Sequence, residues 1–213
     1  MENNKRSYSE NLSFKDYLDQ IRPHVLIIAL AFIIIGLIAF LVTIYDLGGL
    51  GTFLKEGLEG VMENLGQLIG EDGQINVIGL ILNNVRVAAL AFVIGIVPFL
   101  YLPAFILLVN ALIVGGFLGL AGMESLMNAL IIFVFGIMPH GVFELTAIFF
   151  GLAAGFNLSS AVNKTIRRKN PRLSINQAFA NGIKTLVFVS IPLLVLAGFI
   201  EAFLTPRLLS LFI

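Results

Sequence analysis

The chain has 213 residues, of which 58% are hydrophobic and only 12% are charged, with a formal net charge of zero and neither cysteine nor tryptophan. Soluble domains carry roughly 25% charged residues, so this composition, with a mean hydropathy of +0.99, excludes an ordinary soluble domain. The balanced charge argues against nucleic-acid binding, and the lack of cysteine excludes disulfides and thiol chemistry. The composition predicts an all-α integral membrane helical bundle in contact with the lipid bilayer.

The N-terminal part of the chain predicts one membrane span between two polar segments. Residues 1–24 are polar and basic. Residues 25–45 form an apolar run of the roughly 20 residues that a helical crossing needs, too long for a signal-peptide core. Within the acidic segment 46–75, apolar residues recur at helical spacing over 52–69. This pattern predicts an amphipathic extracytoplasmic helix that lies on the membrane surface or under the bundle; alternatively, it only shields the span ends.

The remaining apolar stretches predict four further spans. Pro98 and Pro103 mark a tight turn that separates the second span from the third. Short polar breaks separate the later stretches, and no second domain is indicated. The chain is therefore predicted to be a single membrane domain, 1–213. Its spans lie near 25–45, 77–98, 103–121, 129–163 and 183–204.

The distribution of basic residues predicts the orientation. Cytoplasmic flanks hold an excess of Lys and Arg, which places the N-terminus and the basic loop 164–172 inside the cell. The segment 46–75 has a single basic residue, Lys55, and is therefore outside, as is the C-terminus after five crossings. Two full spans within 129–163 would put the basic loop outside. That block is therefore predicted to cross once, with a broken or re-entrant segment around residues 139–141.

The strongest functional candidates lie at this interruption. Pro139 is suited to starting a helix, and Gly141 permits an unusual backbone or a close neighbour. His140 and Glu144 stand four residues apart, on one face of the helix that follows. Ionisable residues in membrane segments cost roughly 2.5–3.5 kcal/mol each and are usually functional. The pair indicates an acid/base, proton or ion site, or half of a metal site; alternatively it only caps the break and locks the bundle.

A second polar group lies in spans two and three. Asn83, Asn84 and Arg86 are close together in the second span, and Asn110 lies inside the third. Because a bare carboxylate in lipid is costly, Arg86 is predicted to form an ion pair with Glu144. Asn110 needs a partner as well. The sequence thus predicts a buried polar core formed by these residues and His140.

Small residues indicate close contacts between helices. Gly115 and Gly119 stand four residues apart within GGFLG, and Gly151 and Gly155 repeat this spacing. Such pairs let helix backbones approach one another. They predict tight packing within the bundle or between copies of the chain.

The sequence predicts no cofactor, no metal and no catalytic residue. It contains no HExxH, P-loop or GxSxG motif. With two histidines and no cysteine, one chain offers His140 plus carboxylates or amides, whereas zinc normally takes three or four protein ligands. Glu201, His24 and Asn157 lie near polar flanks and are predicted to be solvated at the interface.

Several segments resemble the stage II sporulation protein M family. They are NNVRVAALAFVIGI, ILLVNALIVGGFLG, MPHGVFELTAIFFGLAAGFNL and IEAFLTP, and they extend over roughly residues 75–206. By position, the resemblance implies that the family's marked residues are Asn84, Asn110, Pro139, His140, Gly141, Glu144, Glu201 and Pro206.

This resemblance implies a membrane scaffold that holds peptidoglycan-degrading enzymes together during engulfment of the forespore. Similar proteins also occur in organisms that do not sporulate. We therefore expect a non-enzymatic scaffold or membrane-remodelling factor in the cell membrane. Its partners would be membrane proteins or further copies of itself, with cell-envelope hydrolases implied by the resemblance. The alternative is a channel, transporter or intramembrane enzyme that uses His140, Glu144 and Arg86.

Overall fold

The computed structural model describes residues 13–49, 51–53, 55–57, 76–99, 101–169 and 173–212, and no strand occurs in these ranges. Among these described residues, five helices are long and apolar enough to cross a membrane. They are α1 (Phe14–Ile44), α2 (Val77–Ile96), α3 (Pro103–Glu124), α4 (Leu126–Ile166) and α5 (Ile175–Leu209). The predicted all-α bundle with five spans is confirmed.

Two of the helices begin earlier than the apolar runs because serine caps start them. The Ser13 side chain accepts a hydrogen bond from the Asp16 N–H at 3.2 Å, and α1 then continues through Pro23 without a break. Ser174 and Gln177 form a capping box at the start of α5. A capping box satisfies two backbone donors that have no partner within the helix. As a result, the polar segment before each apolar run is part of the same helix as the span.

The predicted amphipathic helix falls mostly outside the described residues. Residues 51–53 and 55–57 are helical. The rest of 52–69 is not described. The amphipathic helix therefore stays a prediction.

The predicted interruption in α4 is a change of helical winding. Residues Ile132–Ile137 form a π-helix, and an α-helix resumes at Met138 and runs to Ile166. The Met138 N–H bonds to the Phe133 carbonyl, five residues earlier. The α-helical hydrogen-bond pattern is thus broken just before Pro139, but the chain does not re-enter. Residues 126–166 form one continuous helix, as the predicted topology requires.

The same arrangement recurs twice in α5. The π-helical segments Leu186–Ser190 and Ile200–Leu204 each end two residues before a proline, Pro192 and Pro206. Proline has no N–H, and its ring clashes with the carbonyl four residues earlier. In the two π segments of α5, the Ile191 N–H bonds to the Leu186 carbonyl and the Thr205 N–H bonds to the Ile200 carbonyl, each five residues earlier. A wider π turn thus precedes each of these prolines, and the helix continues through both.

The small residues lie where helix backbones meet. Gly115 of α3 packs directly on the backbone of Gly36 in α1, and Gly119 packs on Thr43 one turn further along. Gly151 and Gly155 of α4 pack on the carbonyls of Ala88 and Ala91 in α2. The predicted close packing of these glycines is confirmed.

The turn between α2 and α3 lies at the basic end of α4. The Phe99 N–H donates to Oδ1 of Asn163 at 2.7 Å, which holds Phe99 at a positive φ of 67°. The Arg167 guanidinium lies over the Phe99 ring, 5.4 Å from its centre. Tyr17, near the start of α1, is buried in the same core cluster as Leu158 and Leu173. The N-terminal end of α1, this turn and the basic residues therefore share one end of the bundle, as the predicted topology requires. Its assignment to the cytoplasm stays a prediction.

The contact between α1 and α3 provides a test of the packing. We expect Gly115→Ala to destabilise the protein by about 1–3 kcal/mol, because the new methyl group would collide with the Gly36 backbone. Gly36→Ala is the matched control, since its methyl group would lie 3.6 Å from the Ala111 carbonyl oxygen, an ordinary contact distance. Thermal unfolding of both variants in detergent, followed by circular dichroism, measures the difference. Equal stability of the two variants would contradict the packing described here.

Candidate functional site

Three ionisable side chains meet between α4 and α5. His140 and Glu144 come from α4 and Glu201 from α5, and one ligand atom from each lies within 4.8 Å of the others. Nε2 of His140 is 3.9 Å from Oε2 of Glu201, and these side chains are 13% and 26% exposed. Glu144 is half-buried. The structure thus confirms that His140 and Glu144 share a face, and it adds a second carboxylate. We call these three residues the His–Glu cluster.

A fourth residue fixes the imidazole ring. Thr205 is buried on α5, and its Oγ1 lies 3.2 Å from Nδ1 of His140. The two ring nitrogens therefore face different groups, Thr205 on one side and Glu201 on the other. This arrangement limits rotation of the ring and directs Nε2 towards the carboxylates.

The hairpin formed by α4 and α5 brings the cluster together. Measured along the chain, His140 and Glu201 are each about 26 residues, or about 39 Å of helix, from the connection between the two helices. The antiparallel register is also fixed nearer the connection, where the Ser190 hydroxyl donates to the Ala147 carbonyl at 2.9 Å. Because the helical segments from the connection to His140 and to Glu201 are equally long, the two residues lie at the same height in the bundle.

The neighbours of the cluster define its height in the bundle. Gly141, next to His140, lines the same groove as Gly36, which lies in the middle of the apolar run 25–45. Leu126 and Leu130, on the far side of the cluster from the basic end of α4, are exposed apolar residues. The His–Glu cluster therefore lies within the apolar part of the bundle.

The structure does not pair Arg86 with Glu144, and that prediction is wrong. Within the described part of the chain, the salt bridges are Arg22–Asp19 and His140–Glu201. Arg86 is exposed. Ala88 of α2 packs on α4. Arg86 is two positions from Ala88, and side chains two positions apart on a helix point about 200° away from each other. Arg86 therefore faces away from α4.

The three asparagines of the predicted polar core are satisfied elsewhere. Asn83 is exposed and donates to Oδ1 of the buried Asn84 at 3.5 Å. Asn110 donates to the Ile106 carbonyl of its own helix at 2.8 Å. These side-chain amides thus form hydrogen bonds within their own helices. None of these hydrogen bonds reaches the His–Glu cluster.

Glu201 was predicted to be solvated at a polar flank, and the structure corrects this. It is half-buried and faces His140. An approximate signal was present in the sequence, since His140 lies 24 residues before the basic loop 164–172 and Glu201 lies 29 residues after it. Thr205 gave no comparable signal, because a single threonine in an apolar helix usually bonds to its own backbone.

The cluster is rich in acceptors. Two carboxylates and an imidazole converge, and no Lys or Arg side chain forms a salt bridge with either glutamate among the described residues. Such a group can share protons, bind a cation or hold two helices together. Two cavities, an apolar groove of about 420 Å³ between α1, α3 and α4 and a polar pocket of about 210 Å³ near Lys164, are lined by other residues.

Comparison with known proteins identifies the family. The family model of stage II sporulation protein M matches residues 25–206. The chain belongs to the stage II sporulation protein M family. The match includes Pro139, His140, Glu144, Glu201 and Pro206, so the whole His–Glu cluster lies within the family region.

Two uncharacterised proteins of Methanocaldococcus jannaschii are similar to this family member. One is 33% identical over 72 residues, which cover 34% of this chain and 40% of that relative. The other is 26% identical over 189 residues, which cover 86% of this chain and 82% of that relative. No solved structure matches the chain.

The contact between Thr205 and His140 can be tested by NMR of the imidazole nitrogens. The chain has only two histidines, His24 and His140, so ¹⁵N-histidine labelling gives a simple spectrum. We expect His140 to adopt a single ring tautomer, and Thr205→Val to mix the tautomers because it removes the hydroxyl while keeping the shape. The exposed His24 is the internal control, and its signals should not change. Mixed tautomers of His140 in the wild-type protein would contradict the contact.

Proposed function

We propose that this protein is a non-enzymatic scaffold or membrane-remodelling factor of the cell membrane, with its N-terminus cytoplasmic and its C-terminus extracytoplasmic. The observation that carries the proposal is the family match over residues 25–206. The resemblance to a membrane scaffold applies to nearly all of this region. The basic end of the bundle supports the orientation, because basic flanks favour the cytoplasmic side.

The outer surface of the bundle supports a role in association. α1 is the most apolar of the five helices, and Leu30 and Ile34 on its outer face are 60% and 58% exposed. The apolar groove between α1, α3 and α4 lies beside this face. Lipid or the helix of another membrane protein fits such a surface.

The partners we propose are membrane proteins or further copies of this chain. Cell-envelope hydrolases are a more specific proposal, which rests on the family resemblance alone. The scaffold role assigns no catalytic residue. The His–Glu cluster then serves to hold α4 and α5 in a fixed relative geometry.

A second candidate function is a channel, transporter or intramembrane enzyme that uses His140 and Glu144. The observation in its favour is the convergence of three ionisable groups between two membrane helices. Against it, Arg86 is exposed and faces away from the cluster. Proton or cation flux in proteoliposomes that is lost in Glu144→Gln would favour this candidate over the scaffold.

Photo-crosslinking in native membranes tests the scaffold proposal. We expect a photoreactive amino acid at Leu30 or Ile34 to give discrete adducts heavier than the monomer, since these side chains point out of the bundle. The matched control is the same amino acid at Leu152, which is fully buried and can reach only its own chain. Mass spectrometry of the adducts then distinguishes another protein from a second copy of this chain.

Recovery of the monomer alone from every exposed position would contradict the scaffold proposal. Equal yields of adducts from Leu152 and Leu30 would show that the crosslinks come from unfolded protein. The crosslinking would then give no support to the scaffold proposal.

A further inference from the structure

We propose that His140, Glu144 and Glu201 bind a divalent metal ion of the zinc or manganese class, which joins α4 to α5. The inference goes beyond the scaffold role and does not depend on it, because the ion would fasten the hairpin whatever the bundle binds. It also revises the expectation from the sequence that the chain holds no metal.

The three side chains form a suitable set of donors. One imidazole nitrogen and two carboxylate oxygens lie within 4.8 Å of one another, and this mixture of ligands suits zinc, manganese and iron(II). Zinc bonds of 2.0–2.2 Å place tetrahedral ligands roughly 3.4 Å apart. The most widely separated donors, at up to 4.8 Å, therefore need to approach by at most about 1.4 Å, which side-chain rotation supplies.

The imidazole is already oriented for coordination. Nδ1 of His140 faces the Thr205 hydroxyl at 3.2 Å, which leaves Nε2 directed at Glu201. Histidine ligands to metals almost always use their other ring nitrogen in this way, in a hydrogen bond that fixes the ring. Thr205 is thus the positioning residue of the proposed site.

Charge balance favours a cation at this point. Two half-buried carboxylates lie beside one imidazole, and within the described ranges neither forms a salt bridge with Lys or Arg. Placing like charges together away from water is costly unless a partner compensates them. A divalent ion neutralises both carboxylates at once, whereas the single histidine neutralises at most one.

The ion would crosslink two helices. His140 and Glu144 supply one side of the site from α4 and Glu201 supplies the other from α5. Water would complete the coordination, as it does where zinc has only three protein ligands.

The test uses the full chain, purified in detergent through an affinity tag without histidine and stripped with EDTA. Zn²⁺ or Mn²⁺ is then added, free ions are removed by gel filtration, and bound metal is measured by elemental mass spectrometry. We expect about one ion per chain and a higher melting temperature with metal than without, because ligands that bind the folded state stabilise it.

Two variants with matched chemistry separate the site from general metal binding. Glu201→Gln keeps the shape but removes a ligand, and we expect it to lower the affinity by at least about tenfold. Glu124→Gln makes the same change at an exposed carboxylate at the end of α3 and should bind like the wild type. If Glu201→Gln does not fold, the ¹⁵N signals of wild-type His140 provide the second measurement, since zinc should shift them and leave His24 unchanged.

The proposal would be overturned if the wild-type protein left the gel-filtration column without bound metal. Equal binding by the wild type and Glu201→Gln, or zinc-induced shifts confined to His24, would also overturn it. Any of these results leaves the scaffold proposal intact, because photo-crosslinking tests that role separately.

Discussion

Inside the hydrocarbon core of a bilayer, water is absent and every backbone N–H and C=O must find its partner within the protein. In this chain, three prolines in the last two membrane helices make that requirement harder to satisfy. Each of Pro139, Pro192 and Pro206 removes a donor and crowds a carbonyl, and each is preceded by a π-helical segment. The helices therefore continue where an ordinary α-helix would break. Because a π turn is wider than an α turn, it also rotates the side chains beyond it, and two of these segments adjoin the His–Glu cluster.

The contacts between helix backbones determine which side chains meet. Gly151 and Gly155 bring α4 so close to α2 that Ala88 and Ala91 occupy the interface. The same register turns Arg86 outwards and leaves the carboxylate of Glu144 to groups on α4 and α5. The composition of the cluster thus follows from a packing constraint about two turns away from it, at the level of Gly151.

The bundle combines an apolar outer surface with one concentrated polar contact. A scaffold needs surfaces that other membrane helices can pack against and a fixed geometry in which to present them. For the proposed scaffold role, the exposed face of α1 would supply the first, and the His–Glu contact between α4 and α5 would supply the second. A cation at the cluster would strengthen that contact without adding any catalytic step, so the proposed metal site and the proposed scaffold role are compatible but separate.

The sequence by itself determined the membrane location, the five helices, the tight turn at Pro98 and Pro103, and the pairing of His140 with Glu144 on one face. These features depend on hydrophobic length and helical periodicity, which are local properties of the chain. Only the tertiary structure decided that Glu201 and Thr205 complete the site and that Arg86 does not. Glu201 and Thr205 lie more than sixty positions away from His140, so their approach depends on the register of the α4–α5 hairpin. The direction of Arg86 depends on which face of α2 packs against the glycines of α4. No local sequence pattern encodes this face or the register of the hairpin.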